Sequence, residues 1–202
     1  MGESLPKPGL TDAAWVKIDT QLDAQTLISF CHNLERLYRL NPYLSIEHWA
    51  MPTQNSIQAK WINSSNHAEF TLQQEIQVTF QPNEIRLHYS SGLKKETYLI
   101  VEPLQHGSSL TVIDDYNTES ERGHENHVRL EVDKSLHAWG TSLKSFLRHY
   151  VYLRKIPGIE FVIDRFWIRL SPMARRIVYL LMVITAFELL LLLIFVALWI
   201  LV

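Results

Sequence analysis

The C-terminal stretch Ile177 to Val202 (IVYLLMVITAFELLLLLIFVALWILV) holds one ionisable side chain, Glu188, and nothing else restricts the architecture of the chain as strongly. As a helix rising ~1.5 Å per residue it reaches roughly 39 Å, against a hydrocarbon core of about 30 Å. The residues before it are too few to wrap an all-apolar rod of that length in a soluble core. One transmembrane helix is expected, and because nothing polar follows Val202 the chain reads as tail-anchored, with its working part on the N-terminal side. Glu188 falls near mid-bilayer, where a carboxylate costs ~2.5 to 3.5 kcal/mol on insertion scales. It is either tolerated by a very apolar helix or paired with a partner span in a membrane protein complex.

Basic residues next to a span stay in the cytoplasm. Here Arg154, Lys155, Arg165, Arg169, Arg175 and Arg176 precede the span against Glu160 and Asp164, and the far side carries no charge. The front of the chain, MGESLPKPGLTDAAW, has no apolar signal core, and the residues after Gly2 do not complete a myristoylation pattern. A single cysteine, Cys31, suits a reducing compartment. The globular part is therefore expected to be cytoplasmic. With 19 Lys and Arg against 21 Asp and Glu, the balance implies no nucleic-acid partner.

Residues 1–12, with Pro6, Pro8 and Gly9, read as a flexible leader, 13–156 as one domain, 157–176 as a juxtamembrane segment and 177–202 as the span. Alternation of Ala14, Val16 and Ile18 with Trp15, Lys17 and Asp19 predicts a strand. Asp23 stands as N-cap before a helix whose apolar residues Leu27, Phe30, Cys31, Leu34, Leu37 and Tyr38 recur at three and four, and which Asn41-Pro42 ends. From Leu44 to Tyr116 the period is two. Turn-forming clusters divide that region into strands at Leu44 to Met51, Ser56 to Asn63, Glu69 to Phe80, Glu84 to Tyr89, Glu96 to Leu104 and Ser109 to Tyr116. Connections that short make antiparallel neighbours, hence a curved meander. An acidic loop, Asp114 to His127, precedes a helical pattern from Val132 to Pro157 with Leu136, Trp139, Leu143, Phe146, Tyr150 and Leu153 on one stripe. A long helix with one apolar stripe needs a long concave partner, and the sheet is the one available.

The order strand, helix, six strands, long C-terminal helix resembles the helix-grip fold of the START-like, or SRPBCC, superfamily, which includes polyketide cyclase/dehydrase-like and coenzyme Q-binding members. The piece Asn33-Leu34-Glu35-Arg36-Leu37-Tyr38-Arg39-Leu40-Asn41-Pro42 is similar to the end of the first helix in that family. The resemblance covers about residues 13 to 155. It implies an α+β domain, a curved antiparallel sheet wrapped around a long C-terminal helix, followed here by one transmembrane helix. It also implies an apolar cavity between sheet and helix for a lipophilic small molecule, a lipid, quinone or polyketide, whose identity does not follow from the fold.

Polar residues in phase with apolar ones along a strand are candidates to orient a head group in such a cavity. They are His48 with Leu44, Ile46 and Ala50; Asn63 with Ile57, Ala59 and Trp61; Gln74 with Phe70, Leu72, Ile76 and Val78; and Glu102 with Tyr98, Ile100 and Leu104. For each, a strand-end or hydrogen-bonded role is the plainer alternative. Aromatic surface comes from Trp49, Trp61, Tyr89, Tyr98 and above all Trp139, on the helix that lines the cavity in the family. The expected ligand-binding set is thus Trp139, Trp61, Tyr98, Gln74, His48 and Glu102. Gly140, costly inside a helix by ~1 kcal/mol relative to Ala, marks a kink, a close ligand approach or mere tolerance.

No catalytic set or cofactor motif stands out, and the spacing of His124 and His127 among the acids of Asp114 to His127 matches no standard zinc or calcium loop. After Pro157-Gly158, Ile159, Val162, Ile163, Phe166, Trp167 and Leu170 fall on one side, while Phe161 and Ile168 interrupt the other. Ser171-Pro172 reads as the N-cap and first residue of the span, with Trp167, Arg169, Arg175 and Arg176 at headgroup level and Glu188 inside; these form the expected membrane-anchor set. Three functions fit. The first is membrane-tethered binding or transfer of a lipophilic small molecule without a cofactor. The second is an accessory or assembly subunit whose interior is filled by its own side chains. The third is a cyclase- or dehydratase-type enzyme with His48, Glu102 or a loop histidine as acid/base.

Overall fold

A computed structural model describes residues 10, 12–65, 70–92, 94–116 and 125–201. The leader's Pro6, Pro8 and Gly9 and the loop residues Glu119, Glu121, Arg122 and His124 lie outside them. Strand β1 (Ala13–Thr20) leads into helices α1 (Ala24–His32) and α2 (Leu34–Arg39). Then come β2 (Leu44–Thr53), β3 (Ser56–Asn63), β4 (Phe70–Phe80), β5 (Glu84–Tyr89), β6 (Lys94–Leu104) and β7 (Gly107–Tyr116). Helices α3 (Glu125–Leu153), α4 (Ile159–Val162) and α5 (Pro172–Leu201) complete the chain.

The strands form one curved antiparallel sheet in the order β1-β7-β6-β5-β4-β3-β2. From β2 to β7 it is a meander of hairpins. Between β1 and β2 the helices α1 and α2 carry the chain from one edge of the sheet to the other, so the first strand pairs with the last. One face of the sheet is apolar, with Ile18, Ile57, Ile76, Leu87, Leu99, Val101, Leu110 and Val112 buried in a core shared with Leu27, Phe30, Leu34 and Leu37 of α1 and α2. Helix α3 closes the core with Leu136, Trp139, Leu143, Leu147 and Tyr150. The expected α+β helix-grip architecture is what forms.

Three local features depart from the sequence reading. The first helix is two helices: Asn33 ends α1 and caps α2, its Oδ1 accepting from the Arg36 amide at 3.1 Å. An asparagine that can serve as an N-cap offers the backbone an alternative to continuing the helix. Helix α3 begins at Glu125, so Glu125 and His127 are helical rather than part of an acidic loop, while Asp114 and Asp115 belong to β7. Acidic residues in a first turn favour helix initiation there. Gly140 has a packing reason: the backbone of α3 lies so close to β1 that a Cβ there would stand 2.6 Å from Val16 Cγ2.

The juxtamembrane segment is packed into the domain. After α4 the backbone widens into a π-helical turn, Ile163–Trp167, with the Ile168 amide donating to the Ile163 carbonyl at 2.9 Å. This turn shifts the helical phase, so Ile168 joins Ile163 in the core while Phe161, Val162 and Phe166 face out. The expected stripe of Ile159, Val162, Ile163, Phe166, Trp167 and Leu170 assumed an unbroken 3.6-residue period.

Candidate functional site

Antiparallel cross-strand partners share a face, so register sorts the sheet residues between the helix-covered side and the outside. Trp61 pairs with Leu72, Ala59 with Gln74 and Ile57 with Ile76, and all six point toward the helices. Above them sits Tyr38 of α2. Its ring centroid is 5.5 Å from that of Trp49, 5.8 Å from Trp61 and 5.6 Å from Trp139. Trp139 is fixed by a 2.9 Å hydrogen bond from Nε1 to the Leu37 carbonyl in the last turn of α2, which also accepts from the Leu40 amide at 3.2 Å. Trp49 Nε1 is buried and has no hydrogen-bond partner.

A polar chain enters this aromatic wall from β6 and β7. The Lys94 ammonium donates to Asp114 Oδ2 at 2.5 Å, and Thr97 Oγ1 donates to Asp114 Oδ1 at 2.6 Å. Tyr89 Oη lies 3.0 Å from Thr97 Oγ1 and also bonds Tyr38 Oη. A carboxylate only accepts, which sets the direction of every bond: Tyr38 donates to Tyr89, Tyr89 to Thr97, Thr97 to Asp114. The lone pairs of the Tyr38 oxygen are left at the open end, in the same aromatic wall as the unpaired Trp49 N–H. Burial pushes the Tyr38 hydroxyl well above the usual tyrosine range, with Tyr89 adding to the effect. Burial also raises Tyr89, the Lys94 charge opposing it. Burial pulls Lys94 down, but the Asp114 carboxylate outweighs it and holds the ammonium above its ordinary range. The chain is a charged pair at one end and two neutral phenols at the other.

No protein-family model matches the sequence, and no curated protein matches it. Solved structures do. A START superfamily protein from Mycobacterium smegmatis superposes with a TM-score of 0.53 at 15% identity, covering 68% of this chain and 97% of that one. The domain has the START-like fold. TTHA0849 from Thermus thermophilus superposes at 0.52 and 15% identity, over 67% of this chain and 95% of that one. The di-domain ARO/CYC StfQ from the steffimycin biosynthetic pathway superposes at 0.53 and 9% identity, over 72% of this chain and about half, 52%, of that one. The likeness is one of fold.

Of the expected ligand residues, the START-like domain brings Trp139, Trp61 and Gln74 to the covered face, where they are 2%, 5% and 6% exposed. Gln74 Oε1 accepts from Ser91 Oγ at 3.4 Å, next to the β5–β6 turn. His48, Tyr98 and Glu102 point the other way. A β-bulge lies between Ile46, opposite Trp61, and His48, opposite Lys60. The extra residue inverts the alternation: Trp49, opposite Ala59, takes the inward place and His48 turns out. There His48 lines an open depression of about 520 Å³ with Gln58, Lys60, Gln73 and Glu75, bordered also by Ala59, Gln74 and Ser90.

Strand β6 is apolar in both phases, and Thr97, Leu99 and Val101 hold the inward one. Tyr98 therefore packs outside, bonded to Glu96, which also binds Arg86 and lies 3.4 Å from His88. Burial and the Glu96 bond push the Tyr98 hydroxyl up to about 12. Glu102 pairs with Lys17 at 3.4 Å on the surface. His48 and Glu102, the strand residues expected as acid/base candidates, thus do not reach the covered face. Asn63 takes the plainer role, its Oδ1 accepting from the Ser65 amide at 2.9 Å.

The sequence reading misses Lys94, Thr97 and Asp114 as a unit. Leu110, Val112 and Asp114 are in phase on β7, a signal that places Asp114 inside and that its membership of an acidic run obscures. Lys94 gives no such signal, because a second bulge between Lys94 and Glu96 turns it inward against simple alternation. Among the described residues no cluster of His, Cys, Asp and Glu is arranged as metal ligands. Cys31 is buried, and burial pushes its thiol up to about 12.

The START-like domain meets α5 through its juxtamembrane segment. Asp164 accepts from Asn33 Nδ2 at 3.1 Å and lies 3.4 Å from the buried Arg36, which stacks on Phe30. Arg175 donates to the Arg39 carbonyl at 2.5 Å. Trp167 is half-buried against the core, whereas Arg169 and Arg176 are exposed. Within α5, Met173–Ile200 is long and apolar enough to cross a membrane, and its most apolar stretch is not buried against the rest of the chain. It is a candidate membrane anchor, with Glu188 on its exposed surface.

Proposed function

We propose that this chain is a membrane-anchored holder or carrier of a lipophilic small molecule, taken up between the sheet and α3. The unpaired N–H of Trp49, whose ring lies 5.5 Å from that of Tyr38, together with the acceptor end of the Tyr38–Tyr89–Thr97–Asp114–Lys94 chain, carries the reading. A pocket for an apolar molecule needs few polar groups, placed to hold one end of it. Trp49 would donate to a ligand oxygen, and Tyr38 would accept from a ligand hydroxyl. The ligand is thus a mostly hydrocarbon molecule ending in a hydroxyl or carbonyl, within the lipid, quinone or polyketide classes. Trp139, Trp61 and Gln74 supply its walls. Association of the START-like fold with small-molecule biosynthesis in the StfQ case is compatible with this. Helix α5 would hold the domain against the cytoplasmic leaflet, from which so insoluble a ligand could be drawn, the arginines before it marking that side.

The test is organic extraction of the full chain purified in mild detergent, followed by mass spectrometry, for the native protein and for Trp49→Phe and Trp139→Ala. A stoichiometric lipophile in the native protein, depleted in a folded Trp49→Phe, is expected. Only detergent and bulk lipid in all three would refute the proposal.

A second reading, an accessory subunit whose interior is filled by its own side chains, is favoured by one observation. Trp139 Nε1 is already satisfied by Leu37, and Tyr38 packs directly on both Trp61 and Trp139. The same extraction separates the two.

A further inference from the structure

Where α5 leaves the domain, a pocket of about 70 Å³ opens between α2, the start of β2 and the juxtamembrane segment, lined by Arg39, Ser45, Arg169, Leu170, Ser171 and Arg175 among others. That is more than the ~10 to 15 Å³ a single water needs, so the pocket has room for a small polar group such as a phosphate. Its charge is one-sided. Arg39 is balanced by Glu35 at 2.8 Å, but among the described residues neither Arg169 nor Arg175 has a carboxylate partner. Arg175 is held in place by its bond to the Arg39 carbonyl, while its Nε is buried with no hydrogen-bond partner. A fixed guanidinium with a donor unspent is suited to bind an oxyanion through parallel hydrogen bonds. Ser171 precedes the 30-residue helix α5 and caps it, its Oγ accepting from the Ala174 amide at 3.2 Å, and the N-terminal dipole of that helix adds to the positive potential. The candidate span starts at Met173, so the pocket opens at headgroup depth.

We infer that this pocket binds the phosphate of an anionic membrane phospholipid, with Arg175 and Arg169 as its main ligands and Arg39 as support. The inference rests on the proposed reading of α5 as a membrane span. It concerns a different site from the aromatic wall, on the outside of the domain.

The full chain would be reconstituted into nanodiscs of phosphatidylcholine with or without phosphatidylglycerol, after flotation on vesicles has established insertion. Detergent-released protein would then be examined by native mass spectrometry for retained lipid. The native chain should retain one phosphatidylglycerol in preference to phosphatidylcholine. Arg175→Gln and Arg169→Gln should each reduce that retention about tenfold or more, as expected for losing a charge-assisted hydrogen bond. Arg165→Gln and Arg176→Gln, which change exposed arginines of the same stretch outside the pocket, should leave it intact. Equal losses in all four variants, or no preference for the anionic lipid, would overturn the site in favour of diffuse surface charge. Because Arg169 is exposed, its variant remains informative even if Arg175→Gln misfolds. Inorganic phosphate added to the released complex should not displace the lipid; displacement would identify a free-anion site instead and overturn the assignment. A chain that fails to float refutes the span, and the lipid site with it, whereas a floating chain without selective retention refutes the site alone.

Discussion

Gly140→Ala tests whether the close approach of α3 to β1 is what requires glycine at that position. On helix propensity alone the substitution stabilises by ~1 kcal/mol. The new Cβ, however, would stand 2.6 Å from Val16 Cγ2 and 2.9 Å from Cγ1. Carbon atoms prefer ~3.5 to 4.0 Å, and extra methyl groups forced into packed cores cost ~1 to 3 kcal/mol. With two methyls inside the contact limit the upper half of that range applies, which leaves a net loss of ~1 to 2 kcal/mol. Val16→Ala removes both methyls at a cost of ~1 to 2 kcal/mol for partly buried hydrocarbon. In that background Gly140→Ala should become neutral or stabilising by up to ~1 kcal/mol, so the two sites couple by ~1 to 3 kcal/mol. Urea unfolding of the full chain in mild detergent, followed by near-ultraviolet circular dichroism of the buried tryptophans, measures all four proteins. A stabilising Gly140→Ala in the native background, or effects that add within ~0.5 kcal/mol, would show the reasoning to be wrong.

Lys94→Met leaves Asp114 buried without its cation. The loss should fall toward the lower end of the ~3 to 5 kcal/mol typical of broken buried pairs, because the Lys94 side chain stays 32% exposed, and Asp114→Asn in the same chain should recover most of it; a Lys94→Met variant of native urea midpoint would contradict this. Burial pushes Glu96 up, but its bonds from Arg86, Tyr98 and His88 outweigh that and hold the carboxyl below its ordinary range. A depressed carboxyl stabilises the fold above its unfolded pKa, and that contribution fades as pH falls through the lower folded value. Unfolding midpoints should therefore drop below about pH 4.3 and drop less in Glu96→Gln, an unchanged acid limb counting against the assignment. Glu188→Leu should ease insertion by ~2.5 to 3.5 kcal/mol and, if a partner span is held there, shrink the detergent-extracted particle; unchanged size and neighbours through a detergent series would leave Glu188 without a partner.

The legible parts are those where one physical signal dominates. Turn chemistry bounds β3 at Ser56–Asn63 and β5 at Glu84–Tyr89 as expected, and the four-and-three spacing of Leu136, Trp139, Leu143 and Tyr150 identifies the face α3 buries. What fails is phase. The bulges at Ile46/His48 and at Lys94/Glu96 each add one residue and invert the alternation beyond them, which moves His48 out, Trp49 in and Lys94 in; no residue type marks these two positions. On β6 the run Tyr98-Leu99-Ile100-Val101 is apolar in both phases, so alternation cannot choose a face, and the expected set places Tyr98 and Glu102 on the wrong one. The π-helical turn does the same for Ile168. Helix and strand follow from local pattern, but which face a side chain takes depends on register, and register is a property of two strands at once.

Helix α2 has only six residues, and both ends of the molecule's business use it. Its Leu37 carbonyl holds Trp139, its Tyr38 side chain stands in the aromatic wall, and its Arg39 carbonyl holds Arg175 at the foot of α5. So short an element has little freedom to yield at one end alone. If, as proposed, a ligand at Tyr38 and a lipid at Arg175 both bind and either one shifts α2, the two would be coupled, and thermodynamic reciprocity would make each felt by the other by the same factor. A chain built this way would weigh its cargo and its membrane together.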